Sequence, residues 1–153
     1  MLLDIITKGA TDVEVELTIL DSTTSLPKTD VVFNSAGIAL WYRRQGAAVV
    51  GITEVTLAAL TTAHTDGGFL HKADGKYRLD LPDAAAATGA GFVDIGGTVT
   101  GGVIIGGRLK LREPDPLQIN TALPNFPFPM RLSATGLEAI GKTVTVQRSI
   151  DGG

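Results

Sequence analysis

The stretch Asp74–Asp83, DGKYRLDLPD, constrains this chain more than any other. Asp74 and Gly75 both tolerate the positive φ of a type I′ turn, so the pair predicts a two-residue hairpin. After it, Tyr77, Leu79 and Leu81 alternate with Lys76, Arg78 and Asp80, the period of a strand with one buried face. Phe69–Ala73 supplies the returning arm. Pro82 has no N–H for a ladder and ends the strand. Tyr77 has two readings: an anchor at the corner of a β-sandwich, or a half-buried strand aromatic.

The same period recurs along the chain. In Asp12–Leu20, Val13, Val15, Leu17 and Ile19 alternate with Glu14, Glu16 and Thr18, and the glutamates read as a solvated face rather than a catalytic pair. Asp21–Asp30 is polar, contains Pro27 and reads as a loop. Ile38–Arg43, Ala48–Ile52, Phe92–Thr100 and Val103–Leu111 read as further strands, the last two joined by a hairpin at Gly101-Gly102. Trp41, the single tryptophan, is expected in the core, with a cost of about 3–5 kcal/mol on truncation to alanine. Its functional alternative is a stacking platform for sugar. Thr53–Ala63 is the clearest helix, with a capping Thr53, Glu54 near the positive end of the dipole and an apolar side from Val55 to Leu60. A second short helical turn is expected at Asp83–Ala87.

Composition narrows the chemistry. The 153 residues carry a net charge of −3 and no Lys/Arg cluster beyond Arg43-Arg44, so a phosphate-neutralising nucleic-acid patch is not expected. No run reaches the ~18 apolar residues of a membrane span. Met1-Leu2-Leu3 is followed at once by Asp4, so no export signal is expected. The chain has no cysteine, which excludes disulfide scaffolds, thiolate metal sites and cysteine nucleophiles. Glycine pairs at 96–97, 101–102 and 106–107 lack the following helix of a phosphate cradle and read as bulges, turns and close packing. His64 and His71, with Asp66 between them, read as exposed loop residues rather than a metal set. Ser22, Ser25, Ser35, Ser133 and Ser149 sit in no nucleophile-elbow context. Asp80 and Asp83 flank Pro82 and read as turn and capping residues. No catalytic residue, cofactor site or metal site is assigned.

The character of the chain changes at Glu113. Five of the seven prolines fall in Glu113–Pro129, at 114, 116, 124, 127 and 129, and enforce a stiff extended arm. Leu117, Ile119, Leu123, Phe126, Phe128 and Met130 make that arm too apolar for a solvated spacer, so they are the expected partner-binding residues. Residues 131–153 resume strand character and read as a C-terminal hairpin or the start of a second module. Gly136–Thr143 satisfies the P-loop pattern G-x-x-x-x-G-K-[ST], but Val144–Gln147 alternates like a strand where a nucleotide site needs a helix. It reads as a connecting loop.

The runs IALWYRRQGA (38–47), ITEVTLAALTTAHTDGGFLH (52–71) and DGKYRLDLPDAAAATGA (74–90) resemble an Ig-like β-sandwich module that recurs in virion proteins of tailed bacteriophages. FPFPMRLSATG and VTVQRSIDGG, within 126–153, resemble the opening of a second module found in similar company. The resemblance implies a mainly β, Ig-like antiparallel sandwich over residues 1–112 with one short inserted helix. The arm (113–130) and hairpin (131–153) follow. It further implies a virion structural context without fixing the place in the virion; the leading expectation is a non-enzymatic protein, made in the host bacterial cytoplasm, that decorates the capsid or attaches fibres. A tail or baseplate module that binds host-surface glycan is the alternative. Other virion proteins and further copies of the chain are the implied partners. Truncation after Arg112 should leave a folded sandwich that no longer assembles. Mass measurement in solution of the full and shortened chains tests this, and equal masses per particle would overturn it.

Overall fold

Two mixed sheets of five strands each pack face to face in the computed structural model, which describes residues 5–114. In chain order the elements are β1 (Ile5–Thr7), β2 (Glu14–Asp21), β3 (Ala39–Arg44), β4 (Val49–Gly51), β5 (Val55–Thr56), β6 (Gly68–Ala73), β7 (Lys76–Asp80), α1 (Asp83–Ala86), β8 (Phe92–Thr98), β9 (Gly102–Ile105) and β10 (Gly107–Arg112). Sheet A has the order β1-β10-β8-β3-β4 and sheet B the order β5-β6-β7-β2-β9. The pairs β1–β10 and β5–β6 are parallel, and the other pairs are antiparallel. The expected C-terminal arm and hairpin lie outside the described residues.

The core forms where the inward positions of the two sheets meet. Leu17, Ile19, Phe69, Tyr77 and Leu79 come from sheet B, and Leu40, Tyr42, Val93, Ile95, Leu109 and Leu111 from sheet A. Burying each such side chain is worth ~1.5–3 kcal/mol before the entropy of ordering it. The Asp74-Gly75 turn takes φ values of 48° and 71°, as a type I′ hairpin requires. It joins β6 to β7, and β7 in turn pairs with β2, where Tyr77 and Leu79 lie opposite Leu17 and Val15.

Tyr77 is not half-buried, and of the two readings the anchoring one fits its contacts. It has no exposed surface and stacks on Phe69 with ring centroids 5.1 Å apart. Its hydroxyl donates to the Lys28 carbonyl at 2.6 Å and accepts from the Val31 N–H at 3.2 Å. Those partners lie 49 and 46 residues earlier, in the loop that crosses from sheet B to sheet A.

Three expectations need correction. Thr53–Ala63 is not a helix. The Glu54 carboxylate accepts the Leu40 N–H at 2.6 Å, and the Val55 N–H donates to the Gly67 carbonyl at 2.9 Å. These bonds draw Val55–Thr56 into a parallel strand beside β6, and Leu57 turns into the interior. Long-range partners outweigh a local helix preference worth only tenths of a kcal/mol per residue. Among the described residues the short helix is α1, at the expected Asp83–Ala87 turn, with Ala85 and Ala86 buried. The run Val103–Leu111 is not one strand. It starts as β9 beside β2 in sheet B and finishes as β10 beside β8 in sheet A. The switch falls at Gly106, where a Cβ would sit 1.9 Å from the Ile95 carbonyl oxygen, so only glycine fits. The third correction follows from the second: Gly101-Gly102 turns the chain through a lone Val99–Gly102 bridge, and β9 leaves for the other sheet.

Tyr77→Phe should destabilise the domain by about 1–3 kcal/mol, because a buried N–H and carbonyl lose their shared partner. Urea unfolding of the two proteins measures it. An unchanged midpoint would show that the hydroxyl holds nothing.

Candidate binding surface

The outward positions of sheet A assemble the most distinctive surface among the described residues. On β3, Leu40 and Tyr42 point into the core, so Trp41 and Arg43 point outward. The pairing sets Trp41 opposite Gly96 and Arg43 opposite Asp94, while Arg108 on β10 lies on the other side of Asp94. Sequence reading placed Trp41 in the core. Its position on the outer face corrects that, and the core aromatic of this strand is its neighbour Tyr42. The indole is half-buried because it lies across Gly96, where a Cβ would meet Trp41 Cζ2 at 2.4 Å. Trp41, Gly96, Gly106 and Arg108 line a shallow groove of about 640 Å³.

Charge in this groove is held in a fixed geometry. Arg108 donates from Nε to Asp94 Oδ1 at 2.6 Å and from Nη2 to Oδ2 at 3.2 Å. Arg43 donates from Nη2 to Asp94 Oδ2 at 3.0 Å. The bonds from Arg108, and after them those from Arg43, hold the Asp94 carboxyl below the usual carboxylate range. The Arg108 guanidinium also sits 3.9 Å above the centre of the Phe92 ring, a cation–π contact. About half of each guanidinium side chain is exposed, 51% for Arg43 and 46% for Arg108, so both keep N–H groups free for a ligand.

Sequence reading missed Phe92, Asp94 and Arg108. The alternation Arg108-Lys110-Arg112 is visible in the chain, but only strand pairing brings it beside Arg43.

Other singled-out residues fall elsewhere. Glu14 and Glu16 lie on the outer face of sheet B, ion-paired with Lys72, and Glu16 also with Lys76 at 2.9 Å. That is the solvated face expected of them. Asp80 is not a turn residue. It is fully buried and bonded bidentately by Arg78, through Nε to Oδ1 at 2.6 Å and Nη2 to Oδ2 at 3.0 Å. Arg78 Nη1 also donates to the Leu60 carbonyl at 2.5 Å, and the Thr65 N–H donates to Asp80 Oδ2 at 3.0 Å. The pair thus ties the Leu57–Asp66 segment over sheet B. Asp83 gives α1 no side-chain cap and instead accepts the Asp12 N–H at 3.0 Å.

The histidines are not exposed loop residues. His64 is half-buried with Nδ1 3.3 Å from Asp12 Oδ1, and His71 packs its ring against Tyr77 at 5.0 Å. Among the described residues no three His, Cys, Asp or Glu side chains gather as a metal site. The expected contact residues Leu117, Ile119, Leu123, Phe126, Phe128 and Met130, and the Gly136–Thr143 loop, lie outside the described residues. No family model, no curated protein and no solved structure matches this chain.

Trp41→Ala should cost only about 1–2 kcal/mol, as expected for a half-buried aromatic. Leu40→Ala, one position away in the core, should cost about 2–5 kcal/mol. Chemical denaturation of both variants orders them, and the reverse order would return Trp41 to the core.

Proposed function

We propose that this chain is a non-enzymatic structural protein of a tailed-bacteriophage virion, an Ig-like module that decorates the capsid or attaches fibres to it. One observation carries the Ig-like part of this reading. In the Ig arrangement strands B, E and D share one sheet and C, F and G the other. Here β2, β7 and β6 are neighbours in that order in sheet B, and β3, β8 and β10 in sheet A. β4 beside β3 takes the place of the extra strand C′ of variable-type domains. The runs that resemble the phage module, 38–47, 52–71 and 74–90, supply β3, β5, most of β6, β7 and α1 within this frame.

In this reading the sandwich and the Pro-rich segment that follows it in sequence serve attachment rather than turnover. The apolar side chains from Leu117 to Met130 are the proposed contact to another virion protein or to further copies of the chain. Such contacts cover apolar surface that would otherwise face water. The protein would be made in the host bacterial cytoplasm and incorporated during assembly.

Particles purified from an infected culture should contain the protein at fixed stoichiometry by mass spectrometry. Antibody labelling under the electron microscope should place it on the head. Label confined to the tail tip would favour the host-binding alternative. Absence from intact, infectious particles would overturn the proposal.

A further inference from the structure

The two outer faces of the sandwich differ in charge. On sheet B, Glu14, Glu16 and Asp80 balance Lys72, Lys76 and Arg78, and these groups pair among themselves. On sheet A, Arg43, Arg108, Lys110 and Arg112 all point outward, and Asp94 is the only carboxylate on the strands of that face. Among the described residues sheet A therefore presents a basic outer face, in a chain whose net charge is −3. Such a separation of charge selects an anionic partner.

The surroundings of those cations narrow its chemistry. Arg108, Lys110 and Arg112 are alternate residues of one strand, so they repeat about every 7 Å in a line. That spacing matches a polymer with regularly placed charges better than a single small anion. The groove at the end of this line is open and shallow, unlike the enclosed pockets that bury small molecules. Its wall is the indole of Trp41, an apolar surface held against Gly96. Its rim is the guanidinium pair fixed by Asp94, which occupies the Nε–Nη2 edge of Arg108 and one Nη2 N–H of Arg43 and leaves their remaining, half-exposed N–H groups to meet a carboxylate. An apolar ring face beside a carboxylate, repeated along a chain, describes an acidic polysaccharide. Single-stranded nucleic acid fits less well, because stacking successive bases needs several free aromatic faces and one Phe92 face is occupied by Arg108.

We infer that the outer face of sheet A binds an acidic polysaccharide of the hexuronate type, with Trp41 packing against a sugar ring and Arg43 and Arg108 receiving carboxylates. The inference rests on this face alone and is independent of the virion assignment.

Trp41 is the only tryptophan, so its fluorescence reports on the groove directly. Titrating the full chain with hexagalacturonate should shift Trp41 emission saturably, and calorimetry should give the same affinity. Trp41→Ala and Arg108→Gln should each weaken calorimetric binding by about tenfold or more while keeping the wild-type circular dichroism spectrum. Raising salt should weaken it further. Lys72→Gln, on sheet B, should bind as wild type and separates a specific face from overall charge. Maltohexaose binding equally well would show that the cations play no part. Oligothymidylate or polyglutamate binding equally well, with the same losses in the variants, would make this a general polyanion or acidic-protein surface. Either result, or no saturable binding of hexagalacturonate, overturns the inference.

Discussion

The Tyr77 hydroxyl bridges two strands' worth of fold that the chain itself keeps far apart. Residues 22–38 must leave sheet B at the end of β2 and arrive in sheet A at the start of β3. A crossing of that length is costly to order and contributes few strand hydrogen bonds of its own. Tyr77 secures it at both Lys28 and Val31, and Val31 is thereby buried beneath it. Burial pushes the hydroxyl above its ordinary titration range, so it remains a proton donor across the physiological range. The turn at Asp74-Gly75 places Tyr77 in register, the stack on Phe69 fixes its ring, and the crossing then follows a single path.

The passage of the chain between the two sheets also depends on a missing side chain. Gly106 lets the chain pass against the Ile95 carbonyl and move from one sheet to the other within a residue. One continuous run thereby pairs with β2 and then with β8, stitching both sheets. Short edge strands limit the unpaired backbone that remains: β1 and β4 have three residues each and β5 has two. Brevity of this kind is a common protection against edge-to-edge pairing.

Each outer face carries its charge differently. On sheet B the Arg78–Asp80 pair is buried beneath the Leu57–Asp66 segment, where desolvation offsets much of its attraction. The pair is therefore better understood as fixing where that segment lies than as a large source of stability. On sheet A the ion pairs stay open to water, contribute little to stability, and leave their cations available to a ligand. The same residue types thus serve as a fastener on one side and as a binding surface on the other.

Alternation and turn chemistry alone determined the strands around residues 14–21, 39–44, 68–73 and 76–80, the hairpin at Asp74-Gly75 and the turn of helix at Asp83. These signals are local, and side-chain period follows directly from backbone geometry. The tertiary structure alone decided which aromatic of Trp41-Tyr42 faced inward, because a one-residue change of register exchanges the two faces of a strand. It also decided the fate of 53–63, where Glu54 and Leu60 found partners on other strands instead of completing a helix. The split at Gly106 was hidden because a glycine's role depends on which backbone passes beside it. The basic face was hidden for a related reason: Arg43 and Arg108 stand 65 positions apart in the chain and meet only through Asp94. Long-range pairing, not local preference, brings such residues together.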